Sequence, residues 1–365
     1  MKKHSVNFII LLAVIMMASC SSNKKEQPAA QPQAAVWSVE KASEWAKSQP
    51  WISGCNFIPS NAINGLEMWQ AETFDTATID KELGWAQNLG FNCMRVFLHH
   101  TAWEYDREGF KKRMDKYLQI SDRHGIKTMF VIFDDCWLPS YMPGKQMAPK
   151  PGIHNSGWIQ DPGDVMLAHP EGSPVKTEMM KILESYVKDV ISTFKDDKRI
   201  FAWDLYNEPQ RYLPLLKNEF AWAREVNPSQ PLTSGVFRKS LKEFCDFQLN
   251  NSDIISYHNY SDPEKHQQAI DTLKLFKRPM ICTEYMARRS HSLFSNVTPI
   301  LKDQNIGALN WGFVAGKTNT IYAWGTPIYD GSEPKLWFHD ILRKDGTPYR
   351  KGETDTIKML NGVKL

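Results

Sequence analysis

The chain has 365 residues, with 44 Lys and Arg against 41 Asp and Glu and a formal net charge of +3. So even a balance, with no Lys/Arg stripe, argues against nucleic acid as a partner. Once a leader and tether are set aside, roughly 330 residues remain with no second low-complexity break and no short repeat, a length ordinary for one α/β barrel and large for one sandwich.

The opening MKKHSVNFIILLAVIMMASC has a basic start, an apolar stretch from Phe8 to Met17 and small residues before Cys20. That pattern describes a secretory signal over residues 1–19, too short for a membrane span. The ending Met17-Ala18-Ser19-Cys20 resembles a bacterial lipobox, which implies that Cys20 becomes the lipidated first residue. The expected protein is therefore exported and held to a membrane by its lipid, in the periplasm or at the cell surface. Residues 20–36 are polar and rich in Pro, Gln and Ala, as a flexible tether would be, and residues 37–365 form the expected catalytic domain.

Five further cysteines follow, Cys55, Cys93, Cys136, Cys245 and Cys282, and an odd number leaves at least one thiol free. No C-x-x-C and no Cys/His cluster with zinc spacing occurs, so neither a structural thiolate metal site nor a cofactor is expected.

In chain order, strand-like and helix-like segments alternate. Trp51 to Ile58 reads as a first strand. Asp75 then stands as an N-cap before a helix on which Ile79, Leu83, Ala86 and Leu89 keep helical spacing, and Gly90 ends it. Phe91 to Leu98 is a second strand closing on His99 and His100; the next helix, about Glu108 to His124, puts Phe110, Met114, Tyr117 and Leu118 on one face. Ile126 to Phe133 is a third strand, apolar enough to be buried on both faces, and it ends at Asp134-Asp135. A long Pro-, Gly- and aromatic-rich insert from Cys136 to Pro174 follows, of a length usually functional.

A helix from about Lys176 leads into FAWDLYNEPQ, Phe201 to Gln210. This fourth strand must end near Glu208, because Pro209 cannot donate to a ladder. An Asn-Glu pair at a strand lip suits a general acid for a glycosidic oxygen. Next come a helix from Leu215 to Val226, a weak fifth strand at Pro231 to Val236, a sixth at Ile254 to Tyr260 and a polar helix from Pro263 to Phe276. Pro279 to Tyr285 is the seventh strand and Gly307 to Phe313 the eighth. The tail from Trp337 reads as a short helix, an Asp345-Gly346 turn and a last helix that closes the outer ring without chemistry.

Eight strands with intervening helices predict a single-domain (β/α)8 TIM barrel, with an open α/β sheet as the runner-up; no G-x-G-x-x-G opens a helix. In such a barrel the site lies at the carboxyl ends of the strands. Those ends here carry Asn56, Arg95, His99, His100, Asp134, Asp135, Asn207, Glu208, His258, Tyr260, Glu284 and Trp311.

Asn207-Glu208 at strand four and Glu284 at strand seven, with Arg95 at strand two, resemble clan A retaining glycoside hydrolases, most nearly the family 5 cellulase and mannanase group. The resemblance implies that Glu208 is the acid/base, Glu284 the nucleophile, and Asn207 the holder of the sugar 2-hydroxyl. It also implies that Arg95 keeps Glu284 ionised, that His258 and Tyr260 are the strand-six pair, and that Trp311 is a sugar platform. One departure stands out. Family 5 commonly has a histidine at the end of strand three, where this chain has Asp134-Asp135, leaving His99 or His100 as substitutes.

A carboxyl separation of about 5 to 5.5 Å would predict retention, and 6.5 Å or more inversion. Two anions so close resist joint ionisation, so Glu208 is expected to be raised while Glu284 stays charged. Asn56, His99 and Asp135 join the expected substrate-binding set, and of the loop residues Trp69, Trp137, Trp158 and Trp324 about half are expected to line a cleft. The expected function is thus a monomeric, membrane-anchored retaining glycosidase acting on β-linked glycan. Two other readings stand beside it: a catalytically inactive sugar-binding lipoprotein on the same barrel, and a metal-dependent hydrolase needing His99, Asp135 and His258 on one ion.

Overall fold

The computed structural model describes residues 35–365. The expected signal, Cys20 and nearly all of the tether lie outside the described residues. Among those described, no helix is long and apolar enough to cross a membrane.

The strands are β1 (Ser53–Asn56), β2 (Cys93–Phe97), β3 (Lys127–Asp134), β4 (Ile200–Asn207), β5 (Leu232–Thr233), β6 (Ile255–His258), β7 (Met280–Glu284) and β8 (Gly307–Asn310). They pair in parallel in the order β5-β4-β3-β2-β1-β8-β7-β6. β1 pairs with both β2 and β8, so the sheet wraps round on itself. The remaining seam, between β5 and β6, is joined by the Val236–Tyr257 bridge. There the Val236 amide donates to Ser256 at 3.1 Å and the His258 amide to Val236 at 3.0 Å. The PLTSGV run is therefore divided. Leu232 and Thr233 continue the β4 ladder, and Val236 turns to serve β6.

β3 and β4 are the longest strands and are buried almost throughout, as strands covered on both faces must be. The helices on the outside are α1 (Val39–Lys47), α2 (Gly65–Trp69), α3 (Thr76–Asn88), α4 (His100–Tyr105), α5 (Arg107–Arg123) and α6 (Val165–Ala168). They continue with α7 (Pro174–Phe194), α8 (Leu213–Val226), α9 (Lys242–Asn251), α10 (Pro263–Leu273), α11 (Val297–Asp303) and α12 (Lys351–Leu360). Their ends follow local chemistry. Asp75 caps α3 by accepting from Ala77 and Thr78 amides, and Ser173 caps α7 with Pro174 in its first turn. Gly90, at φ +76°, takes the left-handed turn that ends α3 and returns the chain to β2.

Short helices α2, α4 and α6 form where loop or insert is expected, and three larger departures follow. α1 precedes the first strand and packs under the barrel, with Trp45 against Phe201 at 4.9 Å. α9 fills the interval between β5 and β6; it fully buries only Gln248 and sets Phe244, Phe247 and Leu249 part-buried against the core, a weak apolar face in a polar run. In the tail, the helix expected after Trp337 is replaced by irregular chain. Side chains pull it out of helical form: Thr320 donates to Asp340, Arg288 donates to the Asp340 carbonyl at 2.9 Å, and His339 Nδ1 lies 2.6 Å from the Met286 carbonyl.

The barrel interior is layered. An apolar plug of Ile52, Cys93, Met129, Phe201, Ala202, Ile254, Ile281 and Leu309 closes one end. Phe97, Val131, Trp158 and Trp311 form an aromatic-rich cluster of their own. Arg95 on β2 lies between Cys93 and Phe97 in sequence and shares their inward face, so a buried charge is set between two apolar layers.

Candidate active site

Arg95 is fully buried and its guanidinium is fully engaged. Nε donates to Asp204 at 2.8 Å, Nη1 to Asn56 at 2.7 Å and to Glu284 at 2.9 Å, and Nη2 to Asn207 at 2.7 Å. Burial opposes its charge, but Asp204 and Glu284 outweigh that and hold it firmly protonated. Asp204, from the middle of β4, was not among the expected residues. A carboxylate inside an otherwise apolar strand was the available signal. Asn56 is itself held from below, its amide donating to the Thr283 carbonyl at 2.7 Å and the Asn310 carbonyl at 3.1 Å.

Glu284 ends β7 and receives a donor on each oxygen: Arg95 Nη1 on Oε1, and the Tyr260 hydroxyl on Oε2 at 2.7 Å. Glu208 is the first residue after β4 and has φ +46°, a left-handed backbone that a residue with a long side chain adopts only at a cost of about 1–3 kcal/mol. His258 Nδ1 lies 2.8 Å from Glu208 Oε1 and 3.5 Å from Glu284 Oε2. The Cys136 thiol donates to Glu208 Oε2 at 3.2 Å. Ligand-type atoms of Glu208, His258 and Glu284 all fall within 4.8 Å of one another.

The two carboxyls divide in the opposite sense to the expectation. Burial raises Glu284 above its usual range, and the Glu208 charge adds to this against His258 and Arg95. Burial also pushes Glu208 upward, but the hydrogen bond and charge of His258, helped by the Cys136 thiol, hold it below its ordinary value. The reason is distance: His258 is closer to Glu208 than to Glu284.

Above these groups opens a cavity of about 1070 Å³ lined by Asn207, Glu208, His258, Tyr260, Glu284 and Trp311, with Trp137, Trp158 and Trp324 along its walls. Trp311 packs edge-on to Trp158 at 5.4 Å and to Phe97 at 5.8 Å, so its ring is braced from behind. Trp69 is instead core, its indole donating to the Phe97 carbonyl at 2.7 Å. The tail packs behind this wall: His339 lies 5.5 Å from the Tyr260 ring and 5.3 Å from that of Trp324.

Four expected residues are not on the cavity wall, and the buried Arg95 is one of them. Asn56 lies beneath, as the Arg95 partner already described. His99 is buried and caps α4, its Nδ1 accepting from the Thr101 amide at 3.3 Å, and burial pushes its imidazole down to about 4. Asp135 accepts from the Tyr206 hydroxyl at 2.9 Å and from the amides of Gln210 and Arg211 at 2.9 and 3.0 Å, so it holds the loop that follows Glu208. His99, Asp135 and His258 therefore do not converge, and the metal arrangement that required them is not formed. Asp134 is pinned by Asn207, Trp158 and the Cys136 amide, and burial pushes it up to about 7. Its neighbour Cys136 was expected only as a loop thiol, yet it reaches the cavity.

Residues 113–316 match the family model described as glycosyl hydrolases family 2, TIM barrel domain. Among curated proteins no sequence match was found. Solved structures resemble the chain at low identity. A family 5 mannosidase from Rhizomucor miehei is 14% identical with a TM-score of 0.55, the match covering 86% of this chain and 93% of that one. A GH5_18 protein from Streptomyces cattleya in complex with GlcNAc is 13% identical with a TM-score of 0.56, covering 85% and 79%. The endo-β-1,4-mannanase from Thermotoga petrophila is 14% identical with a TM-score of 0.53, covering 87% and 77%. These likenesses establish the barrel fold.

Because the Glu208 charge helps hold Glu284 up, Glu208→Gln should lower the pH at which the Glu284 carboxyl titrates, read from its carbon-13 shift. A midpoint that stays or rises would contradict the coupling.

Proposed function

The chain belongs to the glycosyl hydrolase family 2 TIM-barrel domain family, a glycoside hydrolase barrel, and from that premise we propose that it cleaves β-linked poly- or oligosaccharide with retention of configuration. Glu284 attacks the anomeric carbon while the proton of Glu208 passes to the departing oxygen. Water, deprotonated by Glu208, then releases the sugar from Glu284.

The observation that carries this reading is the placement of Glu208, His258 and Glu284 with their atoms within 4.8 Å. Carboxylate oxygens that close fit a retaining pair, whose carboxyls stand about 5–5.5 Å apart, better than an inverting pair at about 6.5–9.5 Å. The division of roles rests on the donors. Both Glu284 oxygens accept, from Arg95 and from Tyr260, which suits the group that must carry charge. Glu208 faces the cavity with a thiol and an imidazole, and one proton serves the pair. A sugar oxygen that takes over the His258 contact removes the main influence holding Glu208 down, so Glu208 rises as substrate binds and becomes the acid.

Asn207 and Trp311 border the same cavity and are the proposed 2-hydroxyl ligand and sugar platform. β-Mannosidic linkages are the first substrates to examine, because the structural likenesses include a mannosidase and a mannanase. The lipobox-like sequence at Cys20 supports export and a lipid anchor.

Glu284→Gly should abolish turnover of an activated aryl glycoside, and added azide should restore part of it as a glycosyl azide of inverted configuration; activity in Glu284→Gly without azide, or no azide adduct, would remove the nucleophile role. Cys20→Ala should release the exported protein from membranes into the soluble fraction, and continued membrane association would remove the anchor.

A further inference from the structure

We propose that Cys136 is a positioning residue that aims Glu208 at the departing oxygen, an inference that rests on the acid/base reading of Glu208. The thiol donates to Glu208 Oε2 at 3.2 Å, while His258 Nδ1 stands at Oε1, so the two contacts fix the carboxyl plane from both sides. The thiol is itself placed by a closed set of bonds. The Cys136 amide donates to Asp134 Oδ1 at 2.9 Å, the Asn207 amide donates to that same oxygen at 2.8 Å, and Asn207 also approaches the Cys136 sulfur at 3.4 Å. The Trp158 indole anchors the other oxygen of Asp134 at 2.7 Å.

The backbone on both sides of this contact is costly. Trp137, the residue after Cys136, has φ +70°, and Glu208 has φ +46°. Bulky residues occupy that region only where surrounding contacts over-determine it. Here Glu208 takes the left-handed turn at the end of β4 and Trp137 takes one directly after Cys136, so strained backbone flanks the contact from both strand exits.

A thiol suits the task because it is a weak donor. A strong donor on Oε2 would hold Glu208 ionised, whereas sulfhydryl fixes direction and still lets the group keep a proton. Burial, with Glu208 and Asp134 nearby, raises the thiol well above its ordinary value, so it remains a donor and a poor nucleophile. The other groups facing Glu208 are His258 on β6, Tyr260 just beyond it, Glu284 on β7 and Arg95 on β2; none of them touches Oε2.

The test compares Cys136→Ala and Cys136→Ser with the parent and with Glu208→Ala, all first checked for folding by thermal melting. Substrates are an unactivated β-glycan oligosaccharide and an aryl glycoside with a good leaving group. Cys136→Ala should lower kcat on the oligosaccharide roughly tenfold, the scale of one lost hydrogen bond, with KM little changed and a smaller loss on the aryl glycoside. Its alkaline limb of kcat/KM should move to higher pH, since a donor to the charged form is gone, and Cys136→Ser, which still donates but more strongly, should recover part of the rate and return the limb to the parent's pH or below it. Unchanged rates and limb in both variants would overturn the proposal, as would a loss equal on both substrates that serine does not recover. If Glu208→Ala loses both substrates equally, the acid/base reading fails and this inference with it; if Glu208→Ala spares the aryl glycoside while Cys136→Ala is silent, only the role of Cys136 fails.

Discussion

A charged guanidinium in the middle of the barrel organises the site. Arg95 sits with no solvent exposure, and stripping an arginine of water is tolerable only if every donor is matched. Asp204 from β4 supplies the compensating charge, and Asn56 from β1 and Asn207 from β4 supply neutral acceptors. The remaining demand is met by Glu284 from β7. Three strands are thus tied to one side chain on a fourth, and the position of the proposed nucleophile follows from the needs of the buried cation. Removing any one acceptor would leave a buried donor unmatched, at about 1–3 kcal/mol, and would also release a wall of the site.

From this centre the arrangement spreads by short steps. Asn207 passes the order on to Asp134, and Asp134 to Trp158 and Cys136. Trp158 backs Trp311, the proposed platform. Cys136 and His258 meet Glu208 from opposite sides. Asp135, one residue along, holds the loop after Glu208 by its amides, which helps keep the left-handed turn at Glu208 in place. Glycosidase chemistry needs two like carboxyls with unlike duties, and the inequality here comes from unequal neighbours, His258 standing nearer Glu208, together with the deeper burial of Glu284.

The order of strands and helices was legible because buried strands and one-sided helices leave periods of two and 3.6 in the sequence. β3 and β4 announced themselves as apolar runs. α9 did not, since its apolar residues Phe244, Phe247 and Leu249 are only partly buried within a polar run, and the PLTSGV run gave no hint that it would divide between β4 and β6. The meeting of Arg95, Glu208, His258, Tyr260 and Glu284 could be anticipated from their common place at strand ends. Which strand-end residue points into the cavity could not, because a shift of one position reverses the face. Asn56, His99 and Asp135 serve as struts instead: Asn56 lies under the cavity against Arg95, His99 caps α4 and Asp135 holds the loop after Glu208. Cys136 and Asp204 were hidden, as a loop thiol that passes for a small hydrophobe and a mid-strand carboxylate that passes for an exception.

A double displacement between Glu208 and Glu284 leaves one signature that no rearrangement of the surrounding loops can imitate, the configuration of the sugar at the instant of release. Proton NMR of a β-linked oligosaccharide during the first minutes of hydrolysis reads it directly. Retention predicts that the β-anomer of the new reducing sugar appears first and the α-anomer grows in only through mutarotation; an α-anomer formed first would contradict the proposed pair.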